Sequence, residues 1–575
     1  MIYGEEIQRV DFSKGLWLSD SLENVPDGYA ANLVNMHVNP VGNLDIRPNY
    51  AWLSSSVSCP TGQILETNGS YPGAGYTLRK TAICFDLAPG GASAYDPIWL
   101  GVARNANTPS CVYSWLYATG DMMQVTKSAG AIANVPQSVC QYRDRYYVLT
   151  GTNATAPTGS TTVLRFVFGS SSITDSTITT ILSGAHQILT FRDRIFAFSI
   201  TNQAIYYTDQ ATVGGYPETW SASNVIYLPD AGAIVYNAFV HNDRIYMFTN
   251  RGVYQLYATG SPSNWSLQPV NPNIKVYQKD SVALVNGTFV YTDTESVYLY
   301  TGGTQIIEVG QPIKYAYSAK VVDHSYPISG AATVYSGPSE YRILPYLEGF
   351  ILALGYHNNT GGATDWKQTR APKYYYFNGE TWSEIQFDYN PGNYSHYELI
   401  GTAKSKAAKI VAGETLNLND LVYVAELFSG SYYFFPKSVR HDNSVLQADR
   451  EFKTGLLLKD TEVGGEMNIA RFKQLVAHTK CTLTSINFTP YVDGVACTAY
   501  NPTVAAPFNG RKYKHRIPVS IERGTNFNLS VSTTFSPTSG SGGAQTAYYY
   551  PSFRIYDIGN YVNTDTTKIP DQEYK

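Results

Sequence analysis

The sequence predicts an all-β chain built around a β-propeller of six or seven blades, with an additional antiparallel β domain formed by the C-terminal region, to which the N-terminal segment is a candidate contributor. Three observations predict it. The 575 residues are 43% apolar and only 15% charged, and Tyr alone (48) outnumbers Lys and Arg together (41), a mixture suited to half-buried pleated surfaces rather than amphipathic helices. A short hairpin pattern recurs along the chain. Its first spacings match the period of propeller blades, roughly 40–50 residues.

The hairpin reads Tyr142-Arg-Asp-Arg-Tyr-Tyr-Val-Leu149, then Phe191-Arg-Asp-Arg-Ile-Phe-Ala-Phe198, then His241-Asn-Asp-Arg-Ile-Tyr-Met-Phe248. Weaker copies are Val285-Asn-Gly-Thr-Phe-Val-Tyr291, Leu347-Glu-Gly-Phe-Ile-Leu352 and Leu418-Asn-Asp-Leu-Val-Tyr-Val424. Each places two turn residues between apolar strands, and Asn, Asp and Gly tolerate the positive φ of a tight hairpin. The repeat turns are therefore Asp144 and Arg145, Asp193 and Arg194, Asp243 and Arg244, and Asn286 and Gly287. Asp144 to Asp193 is 49 residues, Asp193 to Asp243 is 50 and Asp243 to Gly287 is 44; Gly349 and Asp420 follow after 62 and 71.

A third strand follows each hairpin, at 163–168, 204–208, 252–257, 296–300, 373–377 and 431–435, all rich in aromatics. Trp220-Ser221, Trp265-Ser266 and Trp382-Ser383 open a fourth, and four strands make a blade. Thr81–Phe85, Pro97–Val102 and Val112–Tyr117 supply one more unit upstream. Past residue 450 the repeat stops, and Ile517–Ile521 and Asn526–Ser532 suggest a sandwich-like domain, with Ser536–Gly543 a loop inside it. Lys404–Ile410 is the one helix candidate, without a strong apolar stripe. The division is thus 1–60 as an N-terminal segment, 61–450 as propeller and 451–575 as a C-terminal β domain.

A net charge of −4 and a pI near 6.2 argue against a protein that binds nucleic acid by neutralising phosphates, which needs a basic face. The first ten residues carry two acids and no leader-like apolar run, and no stretch is long and apolar enough to span a bilayer, so a chain made without Sec-type export is expected. Cys59, Cys84, Cys111, Cys140, Cys481 and Cys497 include no Cys-x-x-Cys pair and no neighbouring His, so buried free thiols are expected and no metal or other cofactor.

The first fifty residues contain Phe12-Ser-Lys-Gly-Leu16, Val25-Pro-Asp-Gly-Tyr-Ala30, Asn35 and Gly42-Asn-Leu-Asp-Ile-Arg47. This succession, marked by Gly15, Pro26, Asp27, Gly28, Asn35, Gly42 and Arg47, resembles the amino terminus of the nozzle, or tail tubular, proteins of short-tailed bacteriophages. Phe191–Thr301 is similar to the same family. Lys14 stands where a second Gly is usual, and Pro48 follows Arg47 where another residue and then Gly are common. The resemblance implies a virion structural protein, assembled in the host cytoplasm. It also implies copies that form a ring, usually of six, expected to join a dodecameric tail adaptor, to carry tail fibres or tailspikes and to let double-stranded DNA pass without tight binding.

No catalytic residue emerges from the motifs. Asn378-Gly-Glu-Thr-Trp382 only faintly matches the turn of sialidases, Asp209, Glu218, Asp230 and Glu340 sit in separate loops, and His37, His186 and His241 lack ligand spacing. Arg145, Arg194 and Arg244 are equivalent by repeat, so each is expected beside its own turn aspartate or at an inter-blade contact rather than in a three-arginine carboxylate site. A non-enzyme is expected, with a propeller lectin or receptor-binding protein, whose Ala547–Pro551 loop would stack on sugars, as the alternative, and a glycan-cleaving propeller third. The two termini are expected to share one platform, so that deleting residues 1–50 leaves a folded propeller that no longer assembles.

Overall fold

In a computed structural model the chain is a propeller with a second β body. The structure describes residues 5–9, 13–19, 24–39, 44–46, 49–52, 135–151, 160–168 and 173–317, the strands between 80 and 125, and beyond 317 the strands named below with their turns at 348, 378–381 and 493–501. Consecutive segments form four-stranded antiparallel meanders in chain order. The first blade is Lys80–Cys84, Tyr95–Val102, Cys111–Leu116 and Met122–Val125. The second to fifth begin with Val135–Tyr142, Ala185–Phe191, Val235–His241 and Val282–Val285 as innermost strands. The sixth is Pro338–Tyr346, Gly349–His357, Arg370–Phe377 and Trp382–Ile385. The seventh is Tyr397–Ala403, Leu421–Phe428, Ser431–Arg440 and, as its outermost strand, Asn49–Trp52. Innermost strands touch around the axis, and Tyr397–Ala403 packs on Lys80–Cys84, closing the ring.

The repeat's logic survives in detail. Tyr142 pairs with Arg145, Phe191 with Arg194, His241 with Arg244 and Val285 with Thr288, so these hairpins turn on two residues. Asn242 and Asp243, and Asn286 and Gly287, both have positive φ, the type I′ geometry whose twist matches the strands it joins. Arg143 and Arg192 also adopt positive φ. At the sixth blade the turn differs from the expected Glu348-Gly349: Tyr346 pairs with Gly349, which lies in the strand. A Cβ on Gly349 would sit 1.8 Å from the Phe377 carbonyl oxygen, so glycine is there for close strand approach rather than for the turn. The turn expected at Asn419-Asp420 lies outside the described residues. The helix expected at 404–410 is corrected: Ala408–Val411 pairs with Glu414–Asn417 as a hairpin, since a segment with β-branched Ile410 and Val411 and no apolar stripe has nothing to hold it helical.

The cores lie between blades. Cys140, Tyr147 and Leu149 pack on Ile188, Ile195 and Ala197, the third blade packs likewise on the fourth, and Phe248 and Tyr300 on Phe289. Cys140 and Cys497 are buried free thiols, and burial pushes the Cys140 thiol up; the side chains of the other four lie outside the described residues.

The sixth blade is continuous with the second body. Its outer strand, Trp382–Ile385, pairs in parallel with Ala30–Val34, and the sheet runs on through Phe452–Leu458, Asn526–Phe535 and Ser485–Val492. A second sheet pairs Phe553–Asn563 with Glu5–Arg9, with Leu44–Ile46 and with Ala470–Cys481, which also pairs with Lys512–Pro518. Both chain ends therefore build this body, while Asn49–Trp52, still within the N-terminal segment, belongs to the seventh blade.

This placement revises the expected effect of deleting residues 1–50. The cut removes half of the strand that completes the seventh blade and takes Leu16, Leu33, Met36, Val38 and Leu44 out of one core shared with Phe350, Trp382, Phe488 and Val531. Unfolding of the second body, not a clean loss of assembly, is expected, and a protease-resistance assay of the truncated chain distinguishes the two.

Candidate functional site

The motif residues at the amino terminus converge on Trp382. Gly15 has φ +85°, and a Cβ there would meet the Trp382 carbonyl oxygen and the Thr381 Cβ, each at 2.8 Å. This close approach lets the Leu16 amide donate to Trp382 O at 2.9 Å and the Ala30 amide to Gly15 O at 2.8 Å. Pro26, Asp27 and Gly28 form a turn closed by the Tyr29 amide on Pro26 O at 3.3 Å, with Gly28 at φ +87° where a type II turn requires it. Lys14 caps that turn: its amide donates to Gly28 O at 2.9 Å, its ammonium to Asp27 O at 3.1 Å and lies over the Tyr29 ring.

Asn35 is the pivot of the segment. At φ +56° it separates Ala30–Val34, in the sheet shared with the sixth blade, from Met36–Val38, in the other sheet, and its amide donates to Glu384 O at 2.8 Å. Asn is among the few non-glycine types that accept this left-handed geometry. The Trp382 indole, 1% exposed, donates to Val309 O at 2.7 Å and packs on Phe350 and Phe377. Asn378–Trp382 is a plain hairpin end: Asn378 Oδ1 accepts the amides of Glu380 and Thr381, and its Nδ2 donates to Val38 O at 2.9 Å. Gly42 and Arg47 lie outside the described residues.

The turn arginines form no common pocket, and none bonds the aspartate of its own turn. Arg145 donates to Glu218 at 2.6 Å and stacks over Tyr216, and Glu218 also holds Arg165 at 2.9 Å and the Tyr147 hydroxyl at 2.8 Å. Asp144 accepts the Tyr216 hydroxyl at 2.6 Å. The long Asp209–Thr219 loop of the third blade is thereby clamped on the second. Arg194 donates to Thr208 O at 2.6 Å and faces the rings of Tyr207 and Trp265, while Arg244 lies over Tyr257. The aspartates face other blades: Asp193 accepts the Tyr142 hydroxyl at 2.9 Å, and Asp243 pairs with Arg192. Asn286 donates to Glu348 O at 2.8 Å, and Gly287 lies beside the His241 ring. Successive turns are thus linked rung by rung along one face.

The acids considered for glycan chemistry are otherwise engaged or not described. Glu218 has the partners above, Asp230 accepts the Tyr254 hydroxyl, Asp209 accepts Asn224 Nδ2 at 2.7 Å, and the side chain of Glu340 lies outside the described residues. Among the described residues no three His, Cys, Asp or Glu side chains gather as metal ligands, and no helix is long and apolar enough to cross a membrane.

His186, which the sequence showed only to lack ligand spacing, lies on an innermost strand as a buried titratable group, and a lone His carries no pattern from which its surroundings could be read. His186, 0% exposed, shares a hydrogen bond with Tyr236 O at 3.0 Å. Burial first, and the Lys279 ammonium second, lower its pKa from 6.5 to about 3.

No known family model matches the chain, and no curated protein matches it in sequence. Among solved structures it is similar to YCF48 bound to D1 peptide, at 10% identity and TM-score 0.32 over 65% of this chain and 96% of that one. It is also similar to the S. cerevisiae complex of Dbp5 with Nup159 and Gle1, at 12% identity and TM-score 0.34 over 68% and 96%. A glycoside hydrolase family 43 arabinoxylan arabinofuranohydrolase from Bacillus subtilis aligns at 10% identity and TM-score 0.23 over 84% and 95%. None of these likenesses assigns an activity.

Three outcomes follow from this geometry. Gly15→Ala, strained in φ and blocked by backbone, is expected to lower stability by about 2–4 kcal/mol, read by chemical denaturation; wild-type stability would mean that Leu16 is not docked on Trp382. Glu218→Ala strands two partly buried guanidinium groups and is expected to cost about 2–4 kcal/mol, more than Asp193→Ala, which removes one hydroxyl contact. Equal losses would refute the clamp.

His186 gives the third. Unfolded, it takes up a proton below its ordinary pKa of 6.5; folded, it stays neutral down to about 3, so stability falls as pH drops from 6.5 towards 3 and is unaffected above. In His186→Gln the slope of stability with pH should be shallower by up to about 1.4 kcal/mol per pH unit in that window. Urea midpoints at successive pH values measure it, and parallel profiles would place His186 in contact with water.

Proposed function

We propose that the chain is a structural tail nozzle protein of a short-tailed phage. Its copies form a hexameric ring that continues the DNA-ejection channel below the tail adaptor and docks fibres or tailspikes. The observation that carries the reading is the composite body: strands from both chain ends pair in the same two sheets, the family-like residues Gly15 and Asn35 stand where it bonds to the sixth blade, and Pro26, Asp27 and Gly28 form the turn beside them. A mechanical joint needs such a body. It must transmit load from a subunit contact into the propeller through backbone pairing rather than through a flexible linker, and the parallel pairing of Val34 with Glu384 is a junction of that kind.

The reading assigns no catalytic role and no cofactor. Glu218, Asp230 and Asp209 are committed to contacts within and between blades, which supports a scaffold. The acidic balance of −4 suits a wall past which a polyanion slides, since every phosphate contact would add a salt-sensitive attraction that slows passage.

The test is assembly. Electron microscopy and native mass measurement of the purified full chain, alone and with adaptor rings from a short-tailed phage, are expected to show a six-copy ring with an open channel. A chain that stays monomeric in both conditions while binding or cleaving a glycan would overturn the proposal in favour of a lectin or glycosidase. A gel-shift assay at physiological salt is expected to show negligible retention of double-stranded DNA; sub-micromolar, salt-dependent retention would sink the channel part of the reading.

A further inference from the structure

The innermost strands of the second, third, fourth and sixth blades share an irregularity. Their register shifts between Pro136 and Ser138, Ala185 and Gln187, Val235 and Asn237, and Pro338 and Glu340, so one residue in each, Gln137, His186, Tyr236 and Ser339, drops out of the ladder as a β-bulge. A bulge residue's carbonyl is released from strand pairing and needs another partner. His186 meets the Tyr236 carbonyl through its imidazole at 3.0 Å. The carbonyls of Gln137 and His186 meet a different group, the Lys279 ammonium, at 2.6 and 3.3 Å.

Lys279 stands at the matching place on the fifth blade. Gln278 accepts the Tyr341 amide on Oε1, as Ser138, Gln187 and Asn237 accept amides of the blades that follow theirs, and Asp280 has the positive φ of an irregular strand entry. From there the side chain crosses the axis to the second and third blades, which are not its neighbours in the ring. Gln137 and His186, the residues that supply the carbonyls, are 1% and 0% exposed.

We propose that the propeller axis is a monovalent-cation site lined by bulge carbonyls, which the chain fills with its own Lys279 ammonium. Backbone carbonyl dipoles turned towards one point create the negative potential that replaces a cation's hydration shell in potassium-channel filters, and the Gln137 and His186 carbonyls converge here in the same sense. An ammonium on a four-carbon stem satisfies that potential without a free ion and ties blade five to blades two and three across the ring. The neutral state of His186 agrees with this, because a second positive charge beside Lys279 is disfavoured there.

The experiment uses the full chain with Lys279→Ala, which empties the site, and Lys279→Met, which fills it with a group that cannot donate. Melting is followed in potassium, ammonium and tetramethylammonium chloride at equal ionic strength. Wild type should melt alike in all three. Lys279→Ala should melt about 3–6 °C lower in tetramethylammonium and recover at least half of that loss in potassium or ammonium, since a ligand bound only by the folded state raises its stability. Lys279→Met should show the loss without recovery. Wild-type melting of Lys279→Ala, or a loss equal in all three salts, would overturn the proposal, leaving Lys279 an ordinary core hydrogen-bond donor. Should Lys279→Ala not fold in tetramethylammonium, refolding yield from urea in the same salts becomes the readout: yield restored by potassium or ammonium supports the site, and failure in every salt counts against it.

Discussion

Among the described residues, neighbouring blades from the second to the sixth are fastened by the same kind of short polar bridge at the entry of the inner strand, and their stagger depends on it. The Ser138 hydroxyl engages Ile188 N and O, the Gln187 amide engages Ala238 N and O, and Asn237 engages Gln278 O and Asp280 N. A bulge leaves backbone groups without ladder partners, and each left unsatisfied in a buried position costs about 1–3 kcal/mol. A bridge satisfies those groups only when the next blade stands at one height and one angle. The stagger of the ring is thus set by hydrogen bonds, and the apolar clusters between blades fill the space that this stagger leaves.

The outer strands explain why the sixth blade differs. In the third blade the outermost strand Trp220–Tyr227 is largely half-buried or exposed, the usual state of a sheet edge facing water. Trp382–Ile385 is buried along its whole length because Ala30–Val34 pairs beyond it. Trp382 therefore does work that Trp220 and Trp265 do not: Trp265 lies half-buried against Tyr207 and Phe196, whereas Trp382 sits in the core that unites the fifth and sixth blades with the second body. The same N-terminal chain goes on to complete the seventh blade, and the chain returns from that blade, after Arg440, to Phe452–Leu458 of the second body, so the two parts are joined covalently at both crossings.

Features that repeat were legible in the residues. The hairpins at Asp144, Asp193, Asp243 and Gly287, the aromatic third strands and the Trp-Ser fourth strands all stand where their periodicity places them. Features without period were not. Gly349 reads as a turn residue because glycine serves both turns and close strand approach, and only the Phe377 carbonyl beside it decides between them. The partners of Arg145 and Arg194 were equally hidden: Glu218 and Thr208 lie in loops and strand ends whose distance in sequence says nothing of their distance in space.

What the sequence determined by itself is the unit: local alternation, turn chemistry and aromatic content specify a four-stranded meander because those preferences act over a few residues at a time. What only the tertiary structure decided is how the units meet. The identity of each inter-blade rung, the crossing of Lys279 to Gln137 over the axis and the meeting of Glu5–Arg9 with Phe553–Asn563 join residues 41 to 558 positions apart. Such contacts exist only when closure of the ring and burial of the shared core have offset the entropy of bringing them together, and no local preference records that balance.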